Sequence, residues 1–256
     1  MTEFASKYTN ANVASDAAQY SPTLFLGLHE TLTTLASDSL ATALLTAIIC
    51  AQGRGDTVPH LFRDVTSQPQ ADIEETFRTV REAITLIVPF AGLPNTMPAC
   101  FGLVNELKTR GIEGVDGPRR TNFGQADYTA HGQETVSTIY RGVGNSEVRD
   151  MIQQYFPEMS YFGRTTIWGY LVGSSPVFEL KHAELIIAAA ITGLGAMRQV
   201  KSHVKCAISV GNSVQVVSAV VEAAREIAAW NGRVFGEVDV GLLEGELKRN
   251  LDSLEG

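Results

Sequence analysis

Apolar positions recur at helical spacing along most of this chain. In "ADIEETFRTVREAITLIV", Ile73, Phe77, Val80, Ile84 and Ile87 are separated by 4, 3, 4 and 3 residues, which lines one face of an amphipathic helix. In "SVQVVSAVVEAAREIAAW", Val217, Val220, Ala224, Ile227 and Ala228 form a second stripe, preceded by "VGNS". There Gly211 is suited to end one helix and Ser213 to cap the next. "LATALLTAIICA" and "ELIIAAAITGLGAM" are apolar nearly all round, as expected of helices buried on every side. Strand-type alternation is nowhere sustained, so the pattern predicts an all-α fold.

The order of elements repeats once. "LATALLTAIICA" is followed by a glycine-containing break, then His60, then an amphipathic helix ending at Gly92. "ELIIAAAITGLG" is followed by His203, then an amphipathic helix ending at Gly232. The offset is 143 residues at the histidines and 140 at the glycines, a difference that one three-residue length change absorbs. Between the copies, residues 108–130 are rich in glycine and charge and predict a linker. The first twenty residues are polar and unpatterned, free to be disordered or to reach across a subunit boundary.

Composition narrows the function classes. At 256 residues, 45% hydrophobic and 19% charged, the chain can bury a full core. A net charge of −8 and the absence of any longer basic run than "GPRRTN" argue against a nucleic-acid partner. Cys50, Cys100 and Cys206 lack CxxC spacing, which argues against a disulfide framework or a zinc site and favours a reducing compartment. The N-terminus lacks the pattern of a signal peptide, and no apolar run approaches the roughly 20 residues that span a bilayer. Together these predict a cytoplasmic protein without a membrane partner.

The candidate chemistry lies in "ELIIAAAITGLGAMRQVKSHVK". In a straight helix Glu184 and His203, nineteen residues apart, would be separated by roughly 28 Å. Gly193 and Gly195 flank Leu194 and favour a tight hairpin there, which brings the histidine back towards the glutamate. Gln199 precedes His203 by four residues and shares its helix face. A buried carboxylate beside an imidazole fixes its tautomer and raises its basicity, and an amide can hold a substrate oxygen. A plainer reading stands beside this: Glu184 complementing a helix N-terminus, and His203 solvated between Lys201 and Lys205.

The segments "ELII…GLG…H…VGNS", "PFAGLPN" and "YRGVGNSEV" followed by "IWGYLVG" resemble the carboxymuconolactone decarboxylase family, within the alkylhydroperoxidase-like all-helical superfamily. The resemblance implies two tandem helical bundles: a degenerate copy at residues 22–107 and a second, active copy at residues 131–250. In the peroxidase branch of the superfamily the glutamate and histidine accompany a CxxC. Here Ala196 and Gln199 hold the cysteine positions, so thiol peroxidase chemistry is excluded. In the first copy Ala41 replaces the glutamate, while Gly53 and Asp56 replace the cysteines. Asp56 and His60 would share a face if their segment were helical, which Pro59 argues against.

What the resemblance implies is cofactor-independent, metal-free chemistry on a small carboxylated, lactone or polyketide-type aromatic molecule, with secondary metabolism as one setting. The reaction is decarboxylation or a proton shift through an enolate-like intermediate. His203 would move the proton, Glu184 orient it and Gln199 hold an oxygen. Arg198 and Arg164 are candidate counter-cations, and Lys201 and Lys205 are expected in solvent. Trp168, Tyr170 and His60 complete the candidate binding residues. A homo-oligomer is also implied, and a non-catalytic helical scaffold or ligand-binding protein is the alternative.

Overall fold

The computed structural model describes residues 3–144 and 146–255, without the side chains of Ser6 and Glu255. Among them there is no strand, and the fold is all-α. Helix α1 spans Pro22–Thr33 and α2 spans Asp38–Ala51. A 3₁₀ turn at Gly55–Thr57 leads into α3, Val58–Val65. Then come α4, Ile73–Ala91, and α5, Leu93–Thr109. The second half has α6 at Tyr128–Ile139, α7 at Ser146–Tyr155, α8 at Pro157–Phe162 and a π-helical segment at Gly163–Val172. It closes with α9 at Leu180–Leu194, α10 at Met197–Ser209, α11 at Val214–Trp230 and α12 at Val240–Glu255.

Local chemistry accounts for the helix ends. Ser37, Asp72 and Ser213 accept hydrogen bonds from the backbone N–H of Leu40, Glu75 and Val216, satisfying donors that the first helical turn leaves open. Pro59 sits in the first turn of α3, where its missing N–H costs nothing, so the segment is helical as far as Val65. Asp56 nevertheless pairs with Arg54 at 3.0 Å rather than with His60.

The core sits where α2 and α9 pack on each other. Every residue from Leu40 to Ala51 is buried, which explains why this helix carries no polar face. Each large side chain here, such as Leu44 or Ile48, contributes about 1.5–3 kcal/mol by leaving water. Gly193 is the contact point with α2: a Cβ there would lie 3.0 Å from both the Ala51 Cβ and the Ile48 carbonyl oxygen. It is thus a packing residue inside α9, and Gly195 alone makes the turn that follows.

Helices of the two halves interleave. α4 packs on α9 as well as on α2, and α11 packs on α1 and α2 as well as on α9. One buried apolar cluster runs through both halves, so the segments share a core. The stretch between α5 and α6 is not a free spacer. Arg120 reaches from it to Glu82 of α4 in an ion pair that is 93% buried on both sides, and its Nη2 donates to the Leu171 carbonyl at 2.8 Å. Ser175 donates to the same glutamate at 2.7 Å. The N-terminal residues are likewise held by their own chain. Ala5–Thr9 forms a π-helical turn against α5, and the Trp230 indole donates to the Gln19 carbonyl at 2.9 Å.

Candidate active site

α9 ends at Leu194, Gly195 adopts φ +68°, and α10 starts at Met197. This backbone conformation is open to glycine and costly for most other residues. The hairpin sets α10 back along α9, and His203 Nδ1 meets Glu184 Oε1 at 2.7 Å. Glu184 is fully buried and His203 is 5% exposed. α9 starts at Leu180, so Glu184 lies beyond the first turn, and its contact is with the imidazole rather than with a helix terminus. The solvated alternative for His203 is likewise overturned.

An aromatic box surrounds the imidazole. Trp168 lies nearly parallel to it at 11°, with centroids 6.4 Å apart. Tyr140 and Phe90 present their edges at 5.8 and 6.3 Å. The Tyr140 hydroxyl lies 3.2 Å from His203 Nε2, so both ring nitrogens are engaged. Tyr140 follows the last residue of α6, Trp168 comes from the π-helical segment and Phe90 comes from α4 of the first half.

The position of the "WG" step has a packing cause. α6 and the π-helical segment cross with Gly132 and Gly169 in contact. A Cβ at Gly132 would lie 1.8 Å from the Arg164 carbonyl oxygen, and one at Gly169 would lie 2.0 Å from that of Tyr128.

Burial pushes the Glu184 carboxyl up from the ordinary glutamate range, with the His203 imidazole pulling the other way. Burial also raises the Tyr140 phenol and the Cys206 thiol well above their usual values, so both hold their protons at neutral pH. Glu184 Oε2 has no hydrogen-bond partner among the described residues. Donor atoms of Glu184, His203 and Cys206 all lie within 4.8 Å of one another, a set of residue types that can hold a divalent metal. Two ligands on one tetrahedral zinc sit roughly 3.3 Å apart. The Nδ1–Oε1 contact is shorter than that and has the length of a hydrogen bond.

Beside this pair lies a cavity of about 590 Å³. Tyr140 and Trp168 form its inner wall, and Arg141, Arg149 and Arg164 line it with no carboxylate among its described lining residues. His203 does not itself line the cavity; Tyr140, whose hydroxyl meets its Nε2, does. The Nε of Arg164 is buried without a hydrogen-bond partner among the described residues.

The structure therefore gathers Glu184, His203 and Trp168, with Arg164 in the adjoining cavity. It does not gather the others. Gln199 lies on the His203 side of α10 but one turn nearer the hairpin tip, where Leu194 and Gly195 are exposed, and it is exposed too. Arg198 is exposed beside it. Tyr170 stacks on Phe123 with centroids 4.4 Å apart and sits under the Arg120 guanidinium, away from the cavity. His60 stacks on Tyr20 at 5.2 Å and lines a separate cavity of about 440 Å³ with Asp56, Arg63 and Glu106. Burial and Arg63 lower its pKa, and at the position related to Glu184 the buried Ala41 offers it no acceptor. Lys201 is exposed, but Lys205 is tied down, donating to the Val143 carbonyl and to Glu246, each at 3.2 Å.

Tyr140, Phe90, Cys206, Arg141 and Arg149 are not singled out by the sequence. Tyr140 and Arg141 lie in the quoted "YRGVGNSEV" and Phe90 in "PFAGLPN", so the motifs point to their neighbourhood without identifying the side chain that matters. Compared with protein-family models and with curated proteins, the chain matches none of either.

Proposed function

We propose that this chain is a cofactor-independent lyase or isomerase acting on a small carboxylated, lactone or polyketide-type aromatic molecule, a two-copy relative of the carboxymuconolactone decarboxylase family. The observation that carries this reading is the hydrogen-bonded series Glu184–His203–Tyr140, buried at the glutamate and ending on a tyrosine that lines a cavity together with three arginines. Glu184 holds Nδ1–H, which leaves the Nε2 lone pair directed at the Tyr140 hydroxyl. A substrate C–H proton passes to the phenol oxygen as the phenol's own proton passes to Nε2. The imidazolium so formed lies against the Glu184 carboxylate, and the substrate is left as an enolate facing the arginines. For decarboxylation the enolate forms as CO₂ leaves, and the same relay running outward delivers a proton to carbon.

A non-catalytic scaffold or ligand-binding protein is the second reading. The observation on its side is that His203 stands behind Tyr140 and Trp168 instead of in the cavity wall. The test is turnover by His203→Ala, Glu184→Gln and Tyr140→Phe over a panel of carboxylated lactones and phenolic acids, with folding checked by circular dichroism. Losses of about 10²–10⁴-fold are expected for a group that moves the proton. Parental turnover in all three variants, or none by the parent, sinks the catalytic reading.

A further inference from the structure

The cavity of about 440 Å³ in the first half shares no lining residue with the arginine-lined one. Two of its sides are α3, with the turn before it, and α5. These helices meet at Pro59 and Gly102, where a Cβ on the glycine would lie 2.6 Å from the Pro59 Cγ. The third side is the N-terminal turn, through Ala5, Thr9 and Asn10. Rings hold that turn on α5: the Tyr8 centroid lies 4.9 Å from that of Phe4 and 5.6 Å from that of Phe101.

The charges around this cavity are matched. Arg54 donates through Nε and Nη2 to the two oxygens of Asp56, each at 3.0 Å, and Arg63 donates in the same way to Glu106. A charged guest would have to break one of these pairs or leave its own charge uncompensated. Hydrogen-bonding capacity is nevertheless left over. Thr9 is 4% exposed, and its hydroxyl has no hydrogen-bond partner among the described residues. The His60 ring stacks on Tyr20, but no hydrogen bond joins its nitrogens to a described residue. Loss of water around the ring and the Arg63 charge favour the neutral imidazole, which offers one donor and one acceptor. Ala5, Pro59 and the bare backbone of Gly102 add an apolar surface.

We propose that this cavity is a second binding site, for a small uncharged alcohol or phenol whose hydroxyl pairs with His60 and Thr9 and whose hydrocarbon body lies on Pro59 and Gly102. Its volume is that of a small-molecule pocket, and an apolar surface with a few polar groups is the usual lining of one. A hydroxyl can donate to the neutral imidazole and accept from Thr9. A carboxylate cannot donate and an ammonium cannot accept, so neither completes that pairing. The guest also relieves the cost of a buried hydroxyl left unpaired. The site rests on none of the catalytic assignments, so either can fail while the other stands.

Nuclear magnetic resonance of the imidazole ring protons, with the full chain titrated by 2-naphthol, tests it. The His60 signal is the one missing from His60→Phe, a variant that keeps a ring on Tyr20, and it is expected to shift saturably. The His203 signal, missing from His203→Ala, reports separately on the arginine-lined cavity. At His60, 2-naphthoate and 2-naphthylmethylammonium should bind at least roughly 10-fold more weakly than the naphthol. Thr9→Val should weaken the naphthol roughly 3–10-fold with an unchanged circular dichroism spectrum, and Thr9→Ser, which keeps the hydroxyl, should bind like the parent. A His60 signal that does not shift, or shifts without saturating, overturns the proposal. So does a naphthoate that binds there as tightly as the naphthol, or a folded Thr9→Val protein that binds as the parent does.

Discussion

Gly193 and Gly195 stand two residues apart for different physical reasons, and substitution separates them. At Gly195 the constraint is backbone conformation: φ is +68°, and an added Cβ would meet nothing within 4 Å. Alanine there costs about 1–2 kcal/mol for the left-handed conformation, less about 0.4–1 kcal/mol from a stiffer unfolded chain, for a net loss of about 1 kcal/mol. Asparagine, which tolerates this conformation, should cost less than alanine. At Gly193 the constraint is space: the Cβ would lie 3.0 Å from Ala51 Cβ and 3.2 Å from the Ile48 Cα, and the backbone of α2 cannot swing aside. Alanine overpacks by about 1–3 kcal/mol and regains up to about 1 kcal/mol of helix propensity. Asparagine adds three more heavy atoms to the same gap and should cost more than alanine. The order of the two substitutions therefore reverses between the positions. Urea unfolding of the four variants with m held constant measures it. The same ranking at both glycines would refute the division of labour.

Arg120→Met leaves Glu82 buried with Ser175 as its remaining polar partner and should cost about 3–5 kcal/mol in urea unfolding, with Arg120→Met/Glu82→Met recovering part of it. Glu184 makes stability pH-dependent with a defined sign. Below the ordinary glutamate range both folded and unfolded states hold its proton; above that range the unfolded chain releases it first, so wild-type stability falls as pH rises until the raised folded-state pKa is passed. Glu184→Gln removes that slope, so unfolding curves at stepped pH should move in the variant's favour as pH rises, and an opposite trend contradicts the assignment. Cys50 and Cys206 are fully buried with thiols raised by burial, and Cys100 is half-buried and raised as well. Ellman's reagent should find no fast-reacting thiol in the native protein and all three in denaturant.

Periodicity alone determined α2, α4, α9 and α11 and the buried faces of α4 and α11, because the 3.6-residue repeat and the capping side chains act within a few residues of each other. It also placed Glu184 and His203 within reach of one another, since the spacing and a single glycine turn lie in one local hairpin. Other features were settled only when the chain closed on itself. Phe90 reaches His203 from the other half, Tyr140 stands between the imidazole and the cavity, and Arg141 and Arg149 join Arg164 around it. Gln199 marks the boundary between the two kinds of information. Four-residue spacing told which side of α10 it occupies, but only the packing of neighbouring helices, which stops one turn short of it, decided that this side is bare there. Helix faces follow from bonds along the chain, whereas burial, cavities and approach between distant segments depend on how whole helices cross. That crossing is set by contacts hundreds of atoms apart in covalent order.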